Sequence, residues 1–155
     1  MFKKLCCFNN KTDLPLDWDK VSDIIPEFSF KEHTKQAKVV SVYDGDTVKV
    51  VFPLQEKLYK WNCRMNGIDT PELRTRNKLE KARGYFVRDK LREKILKKVV
   101  IIKCFEFDKY GRLLISIYCD DDKLSVNQWL IDNDYAFKYD GGTKKDWGEY
   151  LAFKK

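Results

Sequence analysis

From Ala37 onward, apolar and polar positions alternate in short bursts that are broken by turn residues. Val39-Val40-Ser41-Val42-Tyr43 and Thr47-Val48-Lys49-Val50-Val51-Phe52 flank Asp44-Gly45, and two β-rich runs around such a dipeptide predict a hairpin. A third run, Leu58 to Met65, follows a loop containing Pro53 and alternates so as to present one face inward. Val99 to Phe105 and Leu113 to Tyr118 predict two more strands, separated by Asp108-Lys109-Tyr110-Gly111-Arg112. Between the third and fourth strands, the stretch from about Arg76 to Lys97 is rich in helix formers, with apolar residues at Leu79, Ala82, Phe86, Val87, Leu91 and Ile95. Ser125-Val126-Asn127-Gln128 is a capping box followed by Trp129 and Leu130, which predicts a short second helix. A third helix is expected to open at Thr143, with Asp146 three residues on, and to bury Trp147, Tyr150 and Leu151 on one face.

Five short strands with a helix inserted between the third and fourth match the plan of an OB-type Greek-key β-barrel, whose open face binds oligonucleotides. The expected class is therefore α+β, a five-stranded barrel carrying three α-helices. Residues 1–34 read as an N-terminal extension and residues 35–155 as the folded domain.

Composition narrows the partners. The chain has 155 residues, which is one domain, with 31 Lys and Arg against 24 Asp and Glu and a formal charge of +7. The extension holds five Lys against six acids, so the excess of positive charge lies wholly in the domain, and a polyanion is the expected partner. Aromatics at 14% set this chain apart from a disordered basic tail. The single His33 reads as a solvated surface residue, and a Ser-His-Asp triad, a paired-His ribonuclease or a multi-His zinc site would all hang on it. Five cysteines without a Cys-x-x-Cys read as free thiols in a reducing, intracellular and cytoplasmic setting. Leu5-Cys6-Cys7-Phe8 is far too short for a signal-peptide core or a membrane span. Beside Lys3 and Lys4, however, Cys6 and Cys7 also read as an acylation site, which would attach the chain peripherally to a membrane.

Three polar clusters carry the candidate chemistry. Asp44-Gly45-Asp46-Thr47 taken alone reads as a polar hairpin turn. Arg64-Met65-Asn66-Gly67-Ile68-Asp69-Thr70-Pro71-Glu72 puts an arginine in a strand and two carboxylates beyond its end, where Pro71 keeps the chain extended; its plainer reading is a loop of solvated charges. Asp108-Lys109-Tyr110-Gly111-Arg112 reads by itself as a turn with an exposed arginine. Each cluster sits at a strand edge, and together they supply what phosphodiester hydrolysis needs. Asp46, Asp69 and a backbone carbonyl are hard oxygen donors of the kind calcium takes. Arg64 and Arg112 are able to clamp a phosphate bidentately, and Glu72 to accept a proton from water.

These three motifs, in this order and spacing, resemble the staphylococcal nuclease (thermonuclease) family from about Ala37 to Phe153. The resemblance implies a calcium-dependent phosphodiesterase of little sequence specificity, acting on DNA and RNA, single strands favoured, and leaving 3′-phosphates. It implies calcium held by Asp46, Asp69 and the main chain of Thr70. Glu72 would be the general base, Arg64 would bridge substrate phosphate and transition state, and Arg112 would stabilise developing charge and assist the 5′-oxygen leaving group. Tyr110 corresponds to an aromatic that stacks the terminal nucleotide, Tyr139 is a looser counterpart, and Lys109 joins them as a substrate-binding residue. The segment Phe137 to Lys144 departs from the bacterial nuclease. A monomer without an obligate protein partner is expected.

Eleven Lys or Arg against three acids between Arg74 and Lys98 read mostly as a solvated helix face, with some contacts to phosphates beyond the scissile bond. The competing function is a catalytically silent nucleic-acid-binding OB module, since the family fold also occurs without catalysis. Retention of Asp46, Arg64, Asp69, Glu72 and Arg112 together favours the enzyme.

Overall fold

A computed structural model describes residues 17–119 and 123–154; the Cys6/Cys7 acylation candidate lies outside the described residues. After a single 3-10 turn, Trp18–Lys20, come β1 (Thr34–Val42), β2 (Thr47–Leu54), β3 (Lys57–Met65), β4 (Ile68–Asp69) and α1 (Lys78–Ile95). Then follow β5 (Val99–Phe107), β6 (Leu113–Tyr118), α2 (Val126–Asp132), β7 (Phe137–Lys138) and α3 (Trp147–Phe153). Five strands close into a barrel in the order β1-β2-β3-β6-β5, all antiparallel except the β3–β6 pair. The expected five-stranded barrel with three helices is thus present among the described residues. The two-residue strands β4 and β7, too short to leave a periodic signal, form a small antiparallel ladder of their own, with Asp69 opposite Phe137.

Alternation built the barrel: Val48, Val50 and Phe52 of β2, Val100, Ile102 and Cys104 of β5 and Leu113, Ile115 and Ile117 of β6 all point inward and are fully buried. β3 departs from that pattern. Only Cys63 and Met65 at its end are buried, whereas Leu58 is 73% exposed, because the outer half of the β2–β3 hairpin runs beyond the core. Phe30, ahead of β1, is also a core residue, packed edge-on against Phe52 and Trp61 at centroid distances of 5.4 and 5.0 Å. Burial of one such ring is worth roughly 1.5–3 kcal/mol.

Asn77 caps α1 by accepting from the N–H groups of Leu79 and Glu80. The buried stripe of α1 is Gly84, Val87, Leu91 and Ile95; Leu79, Ala82 and Phe86, read from sequence as part of the apolar face, lie at the surface. Ser125 caps α2 as expected, accepting from Gln128 N–H. α3 starts later than predicted: Asp146, not Thr143, accepts from Glu149 N–H, and residues 143–145 form part of the loop before the helix. Trp147 of α3 stacks on Phe137 at 3.9 Å, fixing the helix beside β7. Cys63 and Cys104 are buried thiols, and burial pushes Cys63 up to about 12, so it is unreactive. No helix among the described residues is long and apolar enough to cross a membrane.

Candidate active site

The turn between β1 and β2 is closed by Asp44, whose Oδ1 accepts from the N–H groups of Asp46 (3.1 Å) and Thr47 (2.7 Å). Gly45 has no left-handed φ; a β-carbon there would stand 2.7 Å from Thr70 Oγ1 and 2.9 Å from Val87 Cγ1. Glycine is therefore required by close approach, which brings the Asp44–Asp46 turn against Thr70. Gly84 does the same on the helix: a β-carbon would meet the Pro71 carbonyl at 2.8 Å, so its absence lets residues 71–73 lie directly on α1. Glu72 N–H donates to Glu80 Oε1 in the first turn of α1.

Asp46 is buried, and Arg64 Nη1 meets its Oδ2 at 2.8 Å while Thr47 Oγ1 donates to its Oδ1. Arg64 Nη2 reaches the Ile68 carbonyl at 3.4 Å and lies 4.0 Å from Asp69 Oδ1. Burial pushes the Asp46 carboxyl up to about 7, since the Arg64 guanidinium and the Thr47 hydrogen bond only partly offset desolvation and the nearby charges of Asp44 and Glu72. Lys144, from the loop between β7 and α3, places its ammonium 2.6 Å from Asp69 Oδ1 and 3.1 Å from Glu72 Oε1. Partial burial opposes charge on that ammonium, but pairing with Asp69 and Glu72 outweighs it and raises the lysine pKa.

The opposite wall is the β5–β6 turn. Asp108 Oδ1 accepts from the N–H groups of Tyr110 and Arg112, and its Oδ2 accepts from Arg112 Nε at 2.7 Å. Burial raises the Asp108 carboxyl, yet these hydrogen bonds and the Arg112 charge win and hold it below the usual carboxylate range. Tyr110 is 72% exposed, with Lys109 and Arg112 over its ring at 5.2 and 5.5 Å.

Between the walls lies a cleft of about 850 Å³ lined by Asp46, Arg64, Thr70, Glu72, Lys109, Tyr110, Arg112 and Tyr139, with Lys144 beside them. Asp69 is held just behind it through Arg64 and Lys144. The structure thus gathers every sequence-selected site residue around one cleft. His33 is exposed and is not among the lining residues.

Two contributing side chains had no signal in the sequence. Lys144 sits in a polar loop whose partners are 72 and more residues away. Asn127 looks like an ordinary helix residue, but it is buried, donating to the carbonyls of Asn66 and Ile115 and accepting from Ile117 N–H, so it ties α2 to the turn that precedes Asp69.

The donor set fits a hard divalent cation. Asp44, Asp46, Asp69 and Glu72 outnumber Arg64 and Lys144 on this side of the cleft, so acidic groups are in surplus there. The buried Asp69 Oδ1, which has no hydrogen-bond partner of good geometry, is an oxygen such a cation would satisfy. Among the described residues no three Asp, Glu, His or Cys side chains converge closely enough to hold a metal alone. Carbonyl oxygen and water would have to complete the shell, as they commonly do for calcium.

A closed barrel of mixed strand direction carrying three helices is the staphylococcal-nuclease-like form of the OB fold. Residues 62–154 match the family model described as staphylococcal nuclease homologue, and the chain belongs to that family. It is 29% identical over 103 residues to an uncharacterized endonuclease of Escherichia coli O157:H7, covering 66% of this chain and 60% of that protein. It is 32% identical over 124 residues to an uncharacterized protein of Methanocaldococcus jannaschii, covering 66% of this chain and 58% of the relative. Endonuclease Htp3 of Saprolegnia parasitica is 29% identical over 132 residues, with coverages of 77% and 63%. The chain therefore spans less than two thirds of the length of these relatives.

Proposed function

We propose that the chain is a metal-dependent nuclease that hydrolyses phosphodiester bonds of DNA or RNA with little sequence preference. Family membership and the names of two relatives support the reaction class. The single observation that carries the reading is the cleft, which Glu72, Arg64, Arg112 and buried Asp46 line together, with buried Asp69 just behind.

Glu72, half exposed and braced through its own N–H by Glu80, takes a proton from the attacking water. The water oxygen bonds to phosphorus and the bond to the 5′ oxygen breaks, leaving a 3′-phosphate and a 5′-hydroxyl that gains a proton. Arg64 and Arg112 stabilise the extra negative charge of the five-coordinate transition state. Arg112 has the simpler task, because its salt bridge to Asp108 is made through Nε and fixes the guanidinium plane. Arg64 acts while also neutralising Asp46. Asp46, Asp69 and the Thr70 carbonyl would hold calcium, which when bound supplies positive charge to the phosphate and polarises water. Tyr110, exposed at the rim, offers a face on which a base stacks, with Lys109 beside it and Tyr139 along the same cleft.

Digestion of single-stranded and double-stranded DNA and of RNA, with calcium, magnesium or chelator, tests this reading. Calcium-dependent cleavage leaving 3′-phosphates is the expected result. Magnesium is expected to support little turnover, because it demands stricter octahedral geometry than this mixed site offers. Retarded migration of nucleic acid on a gel with no cleavage under any condition would make the domain a binding module instead.

A further inference from the structure

We propose that Lys144 is an internal competitor of the metal: its ammonium occupies Asp69 and Glu72 until a divalent cation displaces it, and so sets how tightly the site binds calcium. The inference rests on the metal-dependent reading above and adds a residue and a control to it.

Its ammonium lies 2.6 Å from Asp69 Oδ1, which is the distance at which a calcium ion takes a carboxylate oxygen. That oxygen is buried and accepts no hydrogen bond of good geometry, and of the two cations that face it the lysine is the nearer, Arg64 Nη2 standing 4.0 Å away. An ammonium and a divalent cation at such range of one oxygen repel each other strongly in a partly dry cleft. One must therefore leave. The same ammonium contacts Glu72 at 3.1 Å, so it links a proposed ligand to the proposed base and holds both in place before metal arrives.

Lys144 is not a stray surface side chain that has fallen into the cleft. Its loop is pinned at both ends. On one side β7 is laddered to β4, with Phe137 opposite Asp69 itself and Tyr139 N–H donating to the Gly67 carbonyl. On the other, Asp146 caps α3 and Trp147 stacks on Phe137. The Asp140-Gly141-Gly142 turn lies within this loop, and Lys144 itself stays 44% exposed, so the side chain has room to swing out while the backbone is held. Lys145, its neighbour, makes no ion pair to the acids and instead lies over the Phe137 ring at 5.1 Å. A competitor that must be displaced weakens apparent affinity by the fraction of molecules in which the site is free.

Calcium titration by calorimetry on the full chain tests this directly, for wild type, Lys144→Met, Lys144→Arg and Lys145→Met, each checked by thermal melting. Lys144→Met should bind calcium about tenfold more tightly, while Lys144→Arg, which keeps the charge, and Lys145→Met, which removes one nearby, should stay within about twofold of wild type. Unchanged or weaker binding by Lys144→Met would overturn the inference and leave the nuclease reading intact. Equal tightening by Lys145→Met would overturn it too, by showing a general charge effect. Should neither wild type nor Lys144→Met bind calcium while wild type still cuts nucleic acid in chelator, the competitor role and the metal both fall and hydrolysis stands. Tightening by Lys144→Met in a chain that never cuts would uphold the competitor and remove the nuclease.

Discussion

The two walls of the cleft are built in opposite ways. The Asp108–Arg112 wall is made by five consecutive residues whose hydrogen bonds close on one another. The Arg64 wall draws Asp46 from the β1–β2 turn, Asp69 from β4, Glu72 from an extended segment on α1 and Lys144 from beyond β7. Arg112 and Asp108 are partly solvated, at 27% and 14% side-chain exposure, whereas Asp46 and Asp69 are at 5% and 4%. One wall carries its own electrostatic balance and the other depends on the whole fold. A local turn keeps an arginine aimed at modest cost, while a buried acidic cluster needs outside charge and so is suited to bind a cation.

Removing each arginine should expose that contrast. Arg64→Ala should cost about 1–3 kcal/mol, because buried Asp46 loses its ion-pair partner and must take up a proton, whereas Arg112→Ala should cost no more than about 1 kcal/mol; urea denaturation of both variants measures the difference. Activity should fall by orders of magnitude in both, and also in Arg64→Lys and Arg112→Lys, since an ammonium lacks the planar fork. Asn127→Leu comes next. It removes the side-chain partner of the Asn66 carbonyl and of the Ile117 N–H, while the Ile115 carbonyl keeps its bond from Asn66 N–H, and should cost at least about 2 kcal/mol while the Asp108 turn keeps its shape.

Gly84→Ala should act more on rate than on stability. Crowding against the Pro71 carbonyl costs roughly 1–3 kcal/mol, but alanine regains close to 1 kcal/mol of helix propensity, and what remains is a displaced Glu72 segment. Turnover falling much further than the melting temperature would bear that out. Asp108→Asn should give the smallest change. The Asp108 carboxyl sits below its ordinary value, so its contribution is present above the unfolded pKa of about 4 and is lost as pH falls through the lower folded value. The stability gap between wild type and Asp108→Asn should therefore be widest near neutrality and close in acid.

The same contrast explains what could be read from the residues alone. The barrel was legible because inward positions such as Val48, Val50 and Phe52 repeat with period two, and Ser125 announced its helix by capping chemistry. The Asp108 turn could be read because all its partners lie within four residues. Thr143 misled because Asp146 is the better cap once the preceding loop is drawn toward Asp69 by Lys144. Lys144, Asn127 and Gly84 were silent because their partners come from elsewhere in the chain: Asn127 and Asn66 stand 61 positions apart, with no periodicity that joins them. Much of the basic run on α1 is committed within the protein, Arg92 to the Val42 carbonyl and Asp89, Lys90 to Glu93 and Arg83 to the Asp134 carbonyl.

In the proposed mechanism Glu72 works chemically and does more than complete a nucleic-acid groove. Glu72→Gln, compared with wild type in calcium for both oligonucleotide affinity and single-turnover cleavage, tests it most directly. Affinity within a few-fold of wild type and a cleavage rate lower by about 10²–10⁴ are expected. Cleavage at the wild-type rate by Glu72→Gln would contradict it.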